Sequence, residues 1–184
     1  MASITISAKL ETAELASQLT DIINEAYHYG EEGMWKDGFT RTTTEAVAKL
    51  LREQKLMVAR DGKEILGCIK VIPEYKKCRF DGRPARVGEV GMLAVTASSR
   101  RHGLGRQLME TALAYVKENG CDIVELQLVK PVTWIHPIKA FLALWYKKLG
   151  FQLVGQEDAH EEFQRIGQLL KCQVMVEIYE CSLC

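Results

Sequence analysis

The stretch VGEVGMLAVTASSRRHGLGRQLMETALAYV, residues 87–116, decides how the rest of the chain is read. It lies in a strand, Arg86 to Val95, that carries the apolar run Met92, Leu93, Ala94 and Val95. A basic turn follows from Ser99 to Gly105. Leu104, Leu108, Met109, Ala112, Tyr115 and Val116 then recur at helical spacing, and Asn119-Gly120 marks the helix stop. A helix N-terminus presents backbone N–H groups without acceptors at the positive end of the helix dipole, so it binds phosphate. Gly103 and Gly105 let the backbone come close to an anion. Arg100, Arg101, His102 and Arg106 add positive potential around the same turn. The segment is not a dinucleotide fingerprint, because Leu108 stands where the third glycine would be. Nor does the chain contain a Walker A loop. What remains is Arg100-x-x-Gly103-x-Gly105, set between an apolar strand and an amphipathic helix.

Working outward, Ile4, Ile6, Ala8 and Leu10 alternate as a short strand. Thr12 caps a helix running to about Tyr29. Residues 30–39, GEEGMWKDGF, read as a loop. One of Thr42, Thr43 or Thr44 opens a second helix with Val47, Leu50 and Leu51 on one face. Leu56 to Ala59 and Ile65 to Ile72 form a hairpin about Asp61-Gly62, with the return strand predicted to stop at Pro73. A second Asp-Gly pair, Asp81-Gly82, follows within 79–84. Downstream come a strand at Ile123 to Val129, a helix marked by Ile138, Phe141, Leu142, Trp145 and Leu149, and strands at Phe151 to Val154 and Cys172 to Tyr179. The order predicts one α/β domain over residues 1–184 with a mixed sheet.

Composition narrows the function. The chain has 184 residues, 47% hydrophobic and 26% charged, which is ordinary for a globular protein and excludes a disordered or fibrous one. Lys plus Arg and Asp plus Glu are 24 each, so no global charge draws it to nucleic acid or an anionic membrane. Ala140 to Tyr146 is an apolar run far too short to span a bilayer. The N-terminal MASITISAKLE has no signal-peptide pattern, and the expected location is cytoplasmic. Six cysteines, at 68, 78, 121, 172, 181 and 184, then read as reduced thiols. Cys181-Ser182-Leu183-Cys184 has no second pair to complete a metal site, and as a prenylation box it lacks a basic stretch, so no metal is expected.

Taken with Trp145-Tyr146-Lys147-Lys148-Leu149-Gly150-Phe151, the segment LAVTASSRRHGLGRQLM resembles the acetyl-CoA motif of the GCN5-related N-acetyltransferase (GNAT) superfamily. WYKKLGF is similar to that family's later Y-E-K-L-G-F motif, and the two lie about as far apart as the family places them. Ala97 stands where proline is usual and Arg101 where glycine is usual; neither change removes an N–H donor. Lys139 stands seven residues before Tyr146, where the family often carries Asn. The resemblance implies a GNAT-like mixed, mostly antiparallel sheet flanked by about four helices, with a splayed strand pair at the acetyl-CoA site.

The resemblance also implies an activity: acetyl transfer from acetyl-CoA to a primary amine, by direct attack in a ternary complex. The expected acceptor is a small-molecule amine; neutral overall charge argues for neither of the alternatives of a protein N-terminus or lysine, and a non-catalytic acyl-CoA-binding domain is the other alternative. The pantetheine arm pairs with the strand edge at Leu93, Ala94 and Val95. The pyrophosphate sits on the turn that carries Arg100, Arg101, His102, Gly103, Leu104, Gly105 and Arg106. An amine of pKa near 10.4 is only about one part in a thousand free base at pH 7, so a proton must be removed. Glu89, in an apolar strand and six residues before Val95, matches the strand glutamate of histone-acetyltransferase-like members and is expected to be that base, its pKa raised by burial; the other reading is a solvent-facing or Arg-paired carboxylate. Gly91 is expected to mark a bulge in this strand. Tyr146 is expected to serve as the acid at the CoA sulfur. Glu31, Glu32, Trp35 and Phe39 are placed at the acceptor wall, where acidic and aromatic groups hold a cationic amine; a solvated loop with Trp35 anchored in the core fits the residues as well. The resemblance leaves room for a homodimer.

Overall fold

A computed structural model describes residues 3–6, 12–77, 82, 84–158 and 169–183. Among these residues seven strands form one sheet: β1 (Ser3–Ile6), β2 (Leu56–Asp61), β3 (Glu64–Lys77), β4 (Pro84–Val95), β5 (Ile123–Pro131), β6 (Gln152–Asp158) and β7 (Val174–Ser182). Their order is β1-β2-β3-β4-β5-β7-β6. Every neighbouring pair is antiparallel except β4 and β5. Among the described residues four helices flank the sheet: α1 (Ala13–Gly30), α2 (Thr44–Arg52), α3 (Leu104–Glu118) and α4 (Pro137–Lys148).

Local signals set the helix ends. Thr12 accepts from Leu15 N at 3.0 Å, and Thr43 caps α2 by accepting from Ala46 N at 3.2 Å. Gly120 and Gly150 take φ of +77° and +96° just past α3 and α4. The apolar faces divide between the two sides of the sheet. Leu15, Leu19 and Ile23 of α1 and Val47 and Leu51 of α2 pack with Val58, Cys68 and Ala94. Leu104, Leu108, Met109, Ala112 and Val116 of α3 and Tyr146 of α4 pack with Ile69, Val90 and Leu126.

Two details correct the sequence reading. β3 does not stop at Pro73 but runs on to Lys77, with Pro73 opposite Gly88 of β4. Val71 N donates away from β4, to Lys55 O at 2.9 Å. The Pro73 nitrogen, two residues on, faces the same side, where β2 has already ended, so its missing N–H costs no ladder bond. The bulge in β4 falls past Gly91, which still pairs with Lys70. The register shifts across Met92 and Leu93, and Met92 takes the left-handed conformation at φ +49°. The Asp-Gly turn near 81–82 is described only at Gly82, whose φ is +71°; Asp81, like Cys78, His160 and Cys184, lies outside the described residues. No helix among the described residues is long and apolar enough to cross a membrane.

Candidate active site

The parallel strands pair only at Val87 with Ile123, Gly88 with Val124 and Glu89 with Glu125. Beyond that point β5 continues with β7, while β4 bulges at Met92. The two strands therefore part, leaving a gap in the middle of the sheet. A cavity of about 110 Å³ fills it, lined by Gly91, Met92 and Leu93 of β4 and Leu126 to Val129 of β5. Helices close it with Tyr27 and Glu31 from the end of α1, Met109 of α3, and Lys139 and Tyr146 of α4. Arg41 joins them from the segment before α2.

One end of the gap leads to the basic turn. A single 3₁₀ turn at Ala97–Ser99 follows β4, then Arg101 takes φ +65° and Gly103 φ +83° before α3 begins. These left-handed residues roll the chain so that its amides face outward. Gln107 is the first residue of α3 whose amide returns to the chain, donating to Gly103 O at 3.0 Å. Among the described residues, the amides of 101–106 find no backbone acceptor. They form a row of free donors at the positive end of a fifteen-residue helix. Gly105 sits within this row, and a methyl group there would meet only Leu93 Cδ2, at 3.9 Å. The fold does not need glycine at 105, where alanine would make a better helix by about 1 kcal/mol. The open space on that face suits a ligand lying against the backbone.

The charged side chains of the turn act less directly than the sequence suggests. Arg100 turns back onto α1: its guanidinium donates to Glu25 Oε1 at 3.2 Å and lies 4.5 Å from the centre of the Tyr29 ring. Arg106 bonds Glu110 one helical turn on, at 2.7 Å. Arg101 and His102 are exposed at the rim and Leu104 is buried beneath them. Of the strand-edge residues, Ala94 and Val95 pair with Cys68 and Gly67 of β3, and Leu93 lines the gap.

Tyr146 reaches the gap from the far side. Its ring packs near Tyr179 and Phe151, at centroid distances of 6.0 and 6.1 Å. Burial, reinforced by the neighbouring Tyr27 and Tyr179, pushes its hydroxyl well above the ordinary tyrosine range. The phenol stays protonated, and among the described residues it has no hydrogen-bond partner.

Glu89 differs from its expectation. It stands at the last paired position of β4, opposite Glu125, just where the strands part. It is half-buried rather than enclosed, and its carboxylate is ion-paired with Lys70 of β3, not with an arginine. It does not line the gap itself.

The proposed acceptor residues are held by internal partners. Glu31 is buried; its Oε1 accepts from Lys139 Nζ at 2.8 Å and its Oε2 from Trp35 Nε1 at 2.6 Å. Phe39 stacks on Trp35 with centroids 4.0 Å apart and planes 9° apart. Glu31 therefore arrives with its charge already balanced, and one aromatic face of Trp35 is covered. Met34 is fully buried against Val129 and Ile178, and Trp35 packs half-buried against the same cluster. Burial lowers the Lys139 ammonium pKa, while Glu31 opposes that shift. His136 begins α4: its Nδ1 accepts from Ile138 N at 3.2 Å and Lys139 N at 3.5 Å. A second cavity, of about 200 Å³, opens on the outer side of Tyr27, Glu31 and Arg41, and is lined further by Trp35 and Phe39. Tyr27, Arg41 and Lys139 are the residues that sequence reasoning did not place at the site. Lys139 alone left a trace, as a departure from a motif.

A parted parallel strand pair opening onto a phosphate-type turn is a specific arrangement, and comparison with known proteins accounts for it. The family model described as Acetyltransferase (GNAT) family matches residues 16–137. The chain belongs to the acetyltransferase (GNAT) family. Solved structures of similar fold span nearly its whole length. An N-acetyltransferase from Staphylococcus aureus superposes with a TM-score of 0.66 at 14% identity, over 100% of this chain and 99% of that one. An aminoglycoside 6'-N-acetyltransferase complexed with coenzyme A gives 0.67 at 16%, over 99% and 97%. A ribosomal-protein-alanine N-acetyltransferase from Brucella melitensis gives 0.65 at 16%, over 98% and 99%. At these identities the likeness is one of fold. In this GNAT acetyltransferase the gap between β4 and β5 and the 101–106 turn that follows β4 are the candidate active site. Among the described residues no cluster of His, Cys, Asp or Glu could hold a metal ion, and Cys68, Cys121, Cys172 and Cys181 are free thiols.

Proposed function

We propose that this acetyltransferase uses acetyl-CoA to acetylate the primary amine of a small molecule, by direct attack in a ternary complex. The observation that carries the reading is the free amide row at 101–106, which follows the strand whose Leu93 lines the same gap as Tyr146. Structures of this fold that bind coenzyme A support the donor.

Acetyl-CoA supplies an acyl carbon activated as a thioester. The amides of 101–106 hold its pyrophosphate, with Arg101 and His102 at the rim, and the free edge of β4 at Leu93 to Val95 takes the amide-bearing arm as an added strand would. This directs the thioester into the gap beside Tyr146. The amine nitrogen forms the new C–N bond as the C–S bond breaks, and the amine must shed its proton. Two cations, Arg41 and Lys139, face one carboxylate, Glu31, in the gap. That excess of positive charge disfavours an ammonium and raises the free-base fraction of the bound amine. The proton passes through water to Glu89, which stands outside the gap's lining where the strands part. Tyr146 donates its hydroxyl hydrogen bond to the leaving sulfur, whose charge would otherwise develop in a poorly solvated site.

The test is the pH dependence of turnover in Glu89→Gln. At neutral pH the variant is expected to lose about 10²-fold in kcat, and the deficit should shrink as rising pH supplies free amine. A deficit that does not change with pH, or no deficit, removes Glu89 from the proton path.

A further inference from the structure

We infer that the acceptor amine carries a carboxylate close to its nitrogen, as an α-amino acid does, and that Arg41 binds that carboxylate. The inference rests on the acetyl transfer proposed above and specifies its acceptor.

Arg41 lines both cavities, the one between the strands and the outer one. It therefore stands where an acceptor must pass to meet the thioester. Each other charged side chain of the inner cavity is already satisfied: Lys139 and Glu31 pair with each other at 2.8 Å. At the outer cavity, Asp37 pairs with Lys171 at 2.9 Å. No carboxylate among the described residues reaches ion-pair distance of Arg41. Its guanidinium rests instead on the Tyr27 ring, 4.7 Å from the ring centre. Half-buried, the guanidinium meets the Tyr27 ring and hydroxyl, and with no carboxylate among the described residues to fill its fork, N–H groups remain for a planar anion.

The position is built rather than incidental. The next residue, Thr42, is buried and locked to α1 by both ends of one side chain: Thr42 N donates to Asn24 Oδ1 at 3.0 Å and Asn24 Nδ2 donates to Thr42 O at 3.1 Å. This fixes the backbone from which Arg41 reaches, and the Tyr27 ring fixes its guanidinium plane. Little ordering remains to be done when a ligand arrives. Within the inner cavity the same charges argue against a simple cationic amine, which would meet two cations and one already neutralised carboxylate. A carboxylate on the acceptor removes the imbalance and points the adjacent amine inward.

The experiment uses the full chain with acetyl-CoA, reading thiol release against a panel of L-α-amino acids, each beside its own carboxamide. The pairs differ only in the carboxylate, and the carboxamide has the less basic amine, so proton loss alone would favour it. At least one amino acid is expected to exceed its carboxamide about 10²-fold in kcat/KM, as loss of a charge-assisted bidentate pair implies. Arg41→Gln should shrink that ratio at least about tenfold, and Arg41→Lys, which keeps the charge but loses the fork, should retain part of it. Equal use of both members of each pair, turnover of simple alkylamines only, or a ratio unchanged in Arg41→Gln would overturn the inference while leaving acetyl transfer in place. No thiol release from any amine, with no binding of acetyl-CoA, would instead remove the acetyl-transfer reading on which it stands.

Discussion

The two ends of the site are made in opposite ways. The turn at 101–106 works through backbone: a strand end, two left-handed residues and a helix start deliver a row of amides within a few positions of one another. The proposed acceptor wall is built from side chains brought from far apart, with Glu31 and Lys139 separated by 108 positions and Arg41 next to Thr42, which Asn24 of α1 holds. A backbone site is expected to tolerate side-chain changes such as Ala97 and Arg101, which remove no N–H donor. A wall of paired side chains does not, since each member leaves another stranded when it is lost.

Changes on the wall should therefore cost most. Lys139→Met strands a buried carboxylate at Glu31, and unfolding by denaturant should show a loss of about 3–5 kcal/mol. Adding Glu31→Gln should recover most of that loss, because the neutral amide no longer needs a cation. A single variant as stable as the parent would mean the pair contributes nothing to the wall.

Tyr146→Phe removes one hydroxyl at the junction of the two regions. It should lower kcat by about 10²-fold with little change in stability, since no partner among the described residues loses a bond. Unchanged turnover would move the acid role elsewhere.

On the turn, Gly105→Ala sharpens the contrast by separating fold from binding. Stability should rise by about 0.5–1 kcal/mol, because alanine suits a helix better and meets only Leu93. Affinity for acetyl-CoA, measured by calorimetry, should fall about tenfold as the methyl enters the ligand's space. Unchanged affinity would place the pyrophosphate away from Gly105.

The smallest effect lies at the start of α4. Burial and the Lys139 charge hold the His136 imidazole pKa below its ordinary value. On acidification the unfolded chain takes its proton first. The cap's contribution is thus complete above about pH 6.5 and is lost as pH falls through the lower folded value. It should amount to about 1 kcal/mol in thermal or denaturant unfolding, and His136→Ala should flatten that part of the profile.

The same contrast explains what the sequence could reveal. The strand, turn and helix of residues 87–116 were legible because every signal lies beside the residues it governs. The helix caps at Thr12 and Thr43 and the hairpin at Asp61-Gly62 were legible for the same reason. Pro73 misled because its cost depends on whether a neighbouring strand is still present, which is a property of the sheet. Gly91 misled because the bulge is set by the mismatch of β3 and β4, and Met92 accepts the left-handed angle instead. Glu31, Trp35 and Phe39 do come together, but their partners within the wall could not be read from a loop. The Arg41–Tyr27 contact gave no local pattern at all, and Lys139 showed only as a departure from a motif, without its partner.

Titration of the chain with acetyl-CoA, beside desulfo-CoA and ATP in the same calorimeter, tests the central claim most directly. The arrangement of the 101–106 amides and the free β4 edge predicts saturable binding of both CoA compounds at one site per chain, with ATP far weaker because it lacks the pantetheine arm. Failure of either CoA compound to bind would contradict the account and reduce the basic turn to an ordinary helix start.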